Sequence, residues 1–201
     1  MSLRSLVLWR HGETDYNVAL RMQGQLDSHL TPTGIGQAHR AAPILAGLRP
    51  DVLLTSDLVR ASETAAVLGE HAGLAVGVDK RLRETHLGAW QGLSHAEVED
   101  GWPGGMSTWR ISPDMAPPEG ETRVEVATRG AQLVTELDET GQDSAVLCTH
   151  GGLIAGLTPL LLGLPVSHWS VFGGISNCHW TVLRRRDDSW RLDAYNTAAT
   201  V

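Results

Sequence analysis

Two segments of this sequence place a histidine directly between an apolar run and a glycine. They are Leu6–Trp9, which leads into Arg10-His11-Gly12, and Ser144–Thr149, which leads into His150-Gly151-Gly152. A neutral imidazole is a good nucleophile toward phosphorus, and an arginine beside it can bind an anion. For the first segment alone, a surface loop that happens to carry a charge and an imidazole is an equal alternative. The second segment favours a catalytic or anion-binding site over a surface loop, because two strands then end in the same kind of turn.

Each apolar run has the length and character of a buried strand. A continuously apolar strand is typical of a sheet that is covered on both faces, and Gly12 permits a sharp turn directly after His11. Ligands of open α/β sheets bind at the carboxyl ends of the strands. The sequence therefore predicts an α/β fold in which both histidines lie at one edge of the sheet.

Cap residues and hydrophobic spacing predict the remaining elements. Strands are expected at Ser5–Trp9, Asp51–Thr55, Ala75–Val78, Ser144–Thr149, Ser176–Arg185 and Trp190–Tyr195. Helices are expected at about 32–46, after a cap at Ser56 or Asp57, after Ser94, and at about 123–139. The last two strands form a hairpin at the sheet edge. Residues 101–120 are rich in proline, glycine and tryptophan, which predicts an irregular, lid-like insertion.

Together the motifs resemble the histidine phosphatase superfamily, whose fold is called phosphoglycerate mutase-like. The motifs that carry the resemblance are Arg10-His11-Gly12-Glu13-Thr14, the Ser56-to-Thr64 pattern around Arg60, Leu82-Arg83-Glu84, and His150-Gly151-Gly152. The resemblance implies a three-layer αβα sandwich with a mostly parallel central sheet. It also implies a single domain over residues 1–201, with the insertion at about 101–120.

The resemblance implies a role for each motif residue. His11 is the expected nucleophile, Arg10 and Arg60 hold the phosphate, His150 donates to a phosphoryl oxygen, and Glu84 is the proton donor. From the residues alone, Arg60 would be a surface salt-bridge arginine and Glu84 the partner of a neighbouring arginine. Four further residues are expected to bind substrate, namely Asn17, Gln23, Gly24 and Gly151. Asn177 corresponds to a polar position near the family's pocket.

The length of the chain bears on which reaction it performs. It is short for a phosphoglycerate mutase, which favours a phosphatase that hydrolyses a small-molecule phosphate monoester through a phosphohistidine. Three stretches resemble one group of small-molecule phosphatases in the family, namely residues 21–27, 82–95 and 173–177. Two alternatives stay open: a broad-specificity phosphatase or mutase-type phosphotransferase, and a phospho-ligand-binding module without catalysis. The intact set of motif residues disfavours the binding module.

Composition excludes several other classes. With 16 basic and 23 acidic residues the formal net charge is −7, which argues against a nucleic-acid partner. No apolar run reaches membrane-spanning length, so no membrane association is expected. The two cysteines, Cys148 and Cys178, are far apart and predict reduced thiols and a cytoplasmic location. Seven tryptophans and an exposed sheet edge leave a homodimer open.

The nine histidines raise the possibility of a metal site. No clustered ligand spacing is present, so neither a metal nor any other cofactor is expected. His86 stays open because it follows Glu84 closely. Five histidines are expected on the surface or in packing, namely His29, His39, His71, His95 and His168.

Overall fold

A six-stranded sheet forms the centre of the molecule in the computed structural model, which describes residues 3–199. In chain order the strands are β1 (Ser5–Arg10), β2 (Val52–Thr55), β3 (Val76–Val78), β4 (Ser144–Thr149), β5 (Trp180–Arg186) and β6 (Ser189–Thr197). Across the sheet they lie in the order β3-β2-β4-β1-β5-β6. The first four strands are parallel, and β5 and β6 are antiparallel. The predicted edge hairpin is therefore confirmed.

Helices cover both faces of this sheet. They are α1 (Asp15–Val18), α2 (Pro32–Gly47), α3 (Val59–Ala72), α4 (His95–Gly101), α5 (Gly105–Ile111), α6 (Arg123–Glu139) and α7 (Gly151–Leu161). Successive side chains of β1 point to opposite faces, as the pleat of a strand requires. Leu6 and Leu8 pack with α6 and α7, whereas Val7 and Trp9 pack with α2 and α3. The mostly parallel three-layer α/β architecture is confirmed.

The predicted cap of α3 is wrong. Leu58 occupies the N-cap position and its side chain forms no capping hydrogen bond; the N–H of Val59, the first residue of the helix, donates instead to Asp27 Oδ1 at 3.1 Å. Ser56 and Asp57 use their side chains elsewhere: the hydroxyl of Ser56 lies 2.7 Å from His150 Nε2, and the carboxylate of Asp57 pairs with Arg83. Two tertiary contacts thus displace a local capping interaction, and the helix begins at Val59.

The segment 101–120 is more regular than its composition predicts, because it contains α5. Trp90 is fully buried and forms an apolar cluster with Val98 and Met106, separate from the two apolar layers on the faces of the sheet. Trp102 and Trp109 each lie with their ring centroids 6.2 Å from that of Trp90. Packing against one buried indole therefore fixes this part of the chain.

The predicted domain extends to residues 1, 2, 200 and 201, which lie outside the described residues. None of the helices between residues 3 and 199 is long and apolar enough to cross a membrane.

Candidate active site

The two histidines lie side by side because their strands are neighbours. β1 and β4 are parallel and pair Arg10 with Thr149, so the next residue of each strand is a histidine at the same edge. The ring centroids of His11 and His150 are 5.2 Å apart. Gly12 is required here, because a Cβ at this position would lie 2.5 Å from the carbonyl oxygen of Gly34.

His11 is buried and held in one tautomer. Its Nδ1 lies 2.7 Å from the carbonyl oxygen of Gly12. A carbonyl can only accept, so Nδ1 carries the proton and Nε2 of the neutral ring keeps a free lone pair. Burial, followed by the charges of Arg10 and Arg60, holds the pKa of His11 well below its usual value. The ring is therefore neutral at physiological pH and can act as a nucleophile.

His150 is oriented by a serine. Its Nε2 lies 2.7 Å from Ser56 Oγ, and its buried Nδ1 forms no hydrogen bond with residues 3–199. Burial and the nearby charge of Arg60 lower the pKa of His150 well below its usual value. A neutral ring with a proton on Nδ1 can donate one hydrogen bond to a bound anion.

Arg10 and Arg60 are positioned by backbone carbonyls rather than by carboxylates. Arg10 donates to Ile175 O at 2.6 Å, and Arg60 donates to Leu26 O at 2.8 Å and Gly24 O at 2.7 Å. The buried Nε of each has no partner in the described part of the chain. Neither belongs to an ion pair there. Two arginines without an anionic partner make a binding site for a compact anion.

Both arginines keep their charge at neutral pH although they are buried. Burial lowers the pKa of Arg60 to about 10, and it lowers the pKa of Arg10 as well. The negative charge of Glu84 counteracts the effect at both residues.

Glu84 lies at the amino end of α7. Its Oε1 accepts the Thr85 N–H at 2.7 Å, and its Oε2 accepts the Gly152 N–H at 3.1 Å. A Cβ on Gly152 would lie 2.3 Å from Oε1, so only glycine leaves room for the carboxylate. Arg129 fixes the same loop by donating to the carbonyl oxygen of Glu84 at 2.9 Å.

A cavity of about 190 Å³ brings most of the predicted site residues together. Those in its wall are Arg10, His11, Asn17, Gln23, Gly24, Arg60 and Glu84. His150 instead lies against the ring of His11. Gly151 lines a second cavity of about 470 Å³, which shares Thr85, Trp109 and Gly152 with the first.

The neutral donors of the site are held through their oxygens. Asn17 Oδ1 accepts from the Thr14 backbone at 3.1 Å and from Asn177 Nδ2 at 3.0 Å, and Gln23 Oε1 accepts from Ser28 at 2.6 Å. The amide NH₂ groups of Asn17 and Gln23 are left to donate to a ligand. Asn177 also donates to the carbonyl oxygen of Gly12, which places this predicted polar position beneath the His11 loop.

Several residues that line or support the site were not predicted from the sequence. His95, expected on the surface or in packing, lies in the cavity wall. Ser56 was assigned to a helix cap, and Arg129 carried no signal beyond its place on α6. The residue left open, His86, donates from Nδ1 to the carbonyl oxygen of Glu119 at 3.0 Å. Within residues 3–199, no cluster of three or more His, Cys, Asp or Glu side chains is placed to hold a metal ion.

Comparisons with known proteins agree with the motifs. Residues 6–198 match the model of the histidine phosphatase superfamily (branch 1). Glucosyl-3-phosphoglycerate phosphatase of Mycobacterium tuberculosis is 47% identical over 218 aligned positions, which cover 100% of this chain and 98% of the relative. It belongs to the group that residues 21–27, 82–95 and 173–177 resemble.

Two further proteins extend the comparison. A solved structure of mycobacterial glucosyl-3-phosphoglycerate phosphatase with VO3 superposes with a TM-score of 0.94. It is 49% identical, and the match covers 97% of this chain and 100% of that chain. Probable phosphoglycerate mutase GpmB of Yersinia pestis is 33% identical over 91% of this chain and 86% of its own length.

Proposed function

This chain belongs to the histidine phosphatase superfamily and is a phosphatase of phosphate monoesters, and from this premise we propose that it hydrolyses glucosyl-3-phosphoglycerate to glucosylglycerate and phosphate. The observation that carries the proposal is that Arg10 and Arg60 flank the neutral ring of His11 without an anionic partner in the described residues. A phosphate dianion satisfies both arginines at once. The substrate assignment is supported by the 47% identity over the whole chain.

The reaction has two steps in this proposal. Nε2 of His11 attacks phosphorus in line, and the bond from phosphorus to the ester oxygen breaks. Glu84 takes up a proton from solvent when the substrate dianion binds beside it, and gives that proton to the departing oxygen. Water then attacks the phosphohistidine, Glu84 takes a proton from that water, and His11 and inorganic phosphate are released. Arg10, Arg60 and Nδ1 of His150 stabilise the charge on the phosphoryl oxygens in both transition states.

The remaining predicted residues bind substrate in this proposal. Asn17 and Gln23 donate from their amide groups, and Gly24 and Gly151 let the backbone approach the ligand closely. The cavity beside the phosphate pocket accommodates the part of the substrate that carries no phosphate. No metal or other cofactor takes part, so EDTA is expected to leave phosphate release unchanged.

A mutase-type phosphotransferase is the second candidate, and the 33% identity to probable phosphoglycerate mutase GpmB supports it. The two reactions differ in the fate of the phosphohistidine. A mutase returns the phosphoryl group to a second hydroxyl and needs a phosphorylated primer, whereas a phosphatase transfers it to water. Net phosphate release therefore separates the candidates.

Phosphate release from a substrate panel tests the proposal. The panel contains glucosyl-3-phosphoglycerate, 3-phosphoglycerate, a sugar phosphate and an aryl phosphate, each with wild type and His11→Ala. A large preference for glucosyl-3-phosphoglycerate that is lost in the variant is the expected result. A flat profile would replace the specific substrate with broad specificity, and primer-dependent transfer without release would favour the mutase.

Further expectations from the sequence belong to the same proposal. A cytoplasmic location is supported by Cys148 and Cys178, both of which are free and buried. The net charge of −7 supports the absence of a nucleic-acid partner. A single domain with a lid formed by residues 101–120 is supported by Trp109, which lies in the walls of both cavities. A homodimer stays open because β6 is an edge strand of the sheet.

A further inference from the structure

The second cavity is positively charged although the protein as a whole is acidic. Arg110 and Arg123 line it, and no aspartate or glutamate does. It shares Thr85, Trp109 and Gly152 with the phosphate pocket, so one ligand can occupy both spaces. A basic cavity in a chain of net charge −7 indicates a second anionic group on the ligand.

Arg123 is the unusual member of this cavity. It is partly buried, and its side chain forms one hydrogen bond to the described residues, from NH2 to the carbonyl oxygen of Trp109 at 3.3 Å. Its guanidinium carbon lies 5.9 Å from the centroid of the Trp109 ring. A guanidinium carries five N–H donors, so most of those of Arg123 are available to a ligand.

Four other partly buried arginines of this protein are paired with carboxylates. Arg81, Arg83, Arg129 and Arg185 each form an ion pair, whereas Arg123 forms none within residues 3–199. Among the arginines that line the two cavities, Arg10, Arg60 and Arg110 also lack a carboxylate partner in the described residues, and Arg10 and Arg60 flank the proposed nucleophile. An unpaired, partly desolvated guanidinium is costly unless an anion binds to it.

The neighbouring helix leaves space for this side chain. A Cβ on Gly156 of α7 would lie 3.0 Å from both Cγ and the carbonyl oxygen of Arg123. At Gly173 in the cavity wall, the Tyr195 hydroxyl donates to the carbonyl oxygen of that glycine at 2.6 Å and fixes the wall there. The cavity is therefore built on ordered elements, with the arginine stem seated against a glycine.

We propose that Arg123 binds a carboxylate of the substrate while the phosphate occupies the pocket of Arg10 and Arg60. The substrate class is then a phosphate monoester whose carbon skeleton also carries a carboxylate close to the phosphorylated carbon. This inference rests on the proposed function and adds a specificity-determining residue to it. A planar guanidinium matches a carboxylate bidentately, which a lysine cannot do.

Two matched substrate pairs test the inference through the ratio of kcat/KM within each pair. The first pair is glucosyl-3-phosphoglycerate and its methyl ester, and the second is 3-phosphoglycerate and glycerol 3-phosphate. Wild type is expected to prefer the carboxylate in both pairs. Arg123→Gln should reduce that preference about 10- to 100-fold, as expected for a lost charge-assisted hydrogen bond, and Arg123→Lys should restore part of it. Arg191→Gln, at an exposed position on β6, is the matched control.

The outcomes separate this inference from the proposed function. Equal losses for both members of a pair in Arg123→Gln, or no carboxylate preference in wild type, would overturn the role of Arg123. If Arg123→Gln does not fold, Arg123→Lys decides, because an undiminished preference there would also overturn the bidentate contact. A wild type that prefers carboxylates but not the glucosyl group would overturn the proposed substrate and leave the role of Arg123 standing.

Discussion

Ser56 Oγ lies 2.7 Å from Nε2 of His150, and both side chains are fully buried. The Leu58 N–H also points to this oxygen, at 3.4 Å, and within residues 3–199 the hydroxyl proton of Ser56 has no acceptor other than Nε2, so the hydroxyl donates to Nε2. The ring proton then lies on Nδ1, the nitrogen without a partner in the described residues. Ser56 is thus a positioning residue, which selects the tautomer that can donate to a phosphoryl oxygen.

Ser56→Ala should lower kcat about tenfold, because His150 loses the hydrogen bond that fixes its tautomer. The measurement is steady-state phosphate release as a function of pH, since a change of tautomer alters the pH profile and a packing defect does not. Ser62→Ala is the control, because in the described part of the chain the Ser62 hydroxyl bonds only to the Val59 carbonyl oxygen on the same helix. A kcat and pH profile equal to those of wild type would remove Ser56 from the site.

His11→Ala should reduce kcat at least about 10⁴-fold while the fold is retained, because the nucleophile is lost. Phosphate release gives the rate, and mass spectrometry after an acid-free quench detects the phosphohistidine in wild type. His39→Ala, on the exposed side of α2, should behave as wild type. A smaller loss of turnover in His11→Ala, within about 100-fold of wild type, would contradict the assignment of the nucleophile.

Glu84→Gln should lower kcat/KM by an amount that depends on the leaving group of the substrate. The Glu84 carboxylate accepts N–H groups from Thr85 and Gly152. A glutamine has the same shape, but it keeps only one of these two acceptor oxygens and cannot give up a proton. We expect kcat/KM for alkyl phosphates to fall about 100- to 10,000-fold, and that for an activated aryl phosphate to fall far less. A Brønsted plot over aryl phosphates of graded leaving-group pKa checks this. Equal losses across the series would argue against a general acid.

Gly152→Ala should impair the reaction without removing any catalytic group. The added Cβ would lie 2.3 Å from Glu84 Oε1 and 2.4 Å from Thr85 Oγ1, so the carboxylate must move. A displacement of about 1 Å at a reacting group can cost about 100-fold in rate, and we expect kcat to fall by that order. Gly101→Ala is the control, because no atom lies within 4 Å of its Cβ position. Unchanged kcat in Gly152→Ala would show that the position of Glu84 is not critical.

Much of this fold could be predicted from the sequence, because the information was local. The apolar run of β4 gave both of its ends, and the capping boxes at Ser94 and Thr122 mark the starts of α4 and α6. What could not be predicted depended on contacts between distant residues. From the sequence alone Ser56 is predicted to cap α3, and only its contact with His150 in the fold shows its other role.

The side chains of the cavity walls could likewise be predicted only where their position depends on the local sequence. His95 and Arg123 lie in the capping boxes that start α4 and α6, and a capping box does not predict a place in a cavity wall. The packing of α4, α5 and α6 around Trp90 and Trp109 brings them to the two cavities. Arg10 and His11 could be predicted because a strand end places its own next residues. A residue that reaches the site from another layer leaves no comparable pattern in the chain.

The stability of the folded protein should decrease as the pH falls below about 6.5. His11 and His150 have pKa values well below the usual one in the fold, because both are buried beside arginines, whereas the unfolded chain titrates normally. Above about pH 6.5 neither state binds these protons. Below it the unfolded chain binds protons that the folded protein excludes, so the free energy of unfolding decreases as the pH is lowered.

With both histidines contributing, the slope should approach about 2.7 kcal/mol per pH unit, and His11→Asn should remove roughly half of it. His95, whose pKa is lowered by burial and by Arg110, adds a smaller effect of the same sign. Urea unfolding between pH 5 and pH 7.5 measures the slope while carboxylate titration contributes little. His39→Asn should leave the slope unchanged. A wild-type stability that is flat over this range would mean that the two buried rings take up protons as readily in the folded state as in the unfolded one.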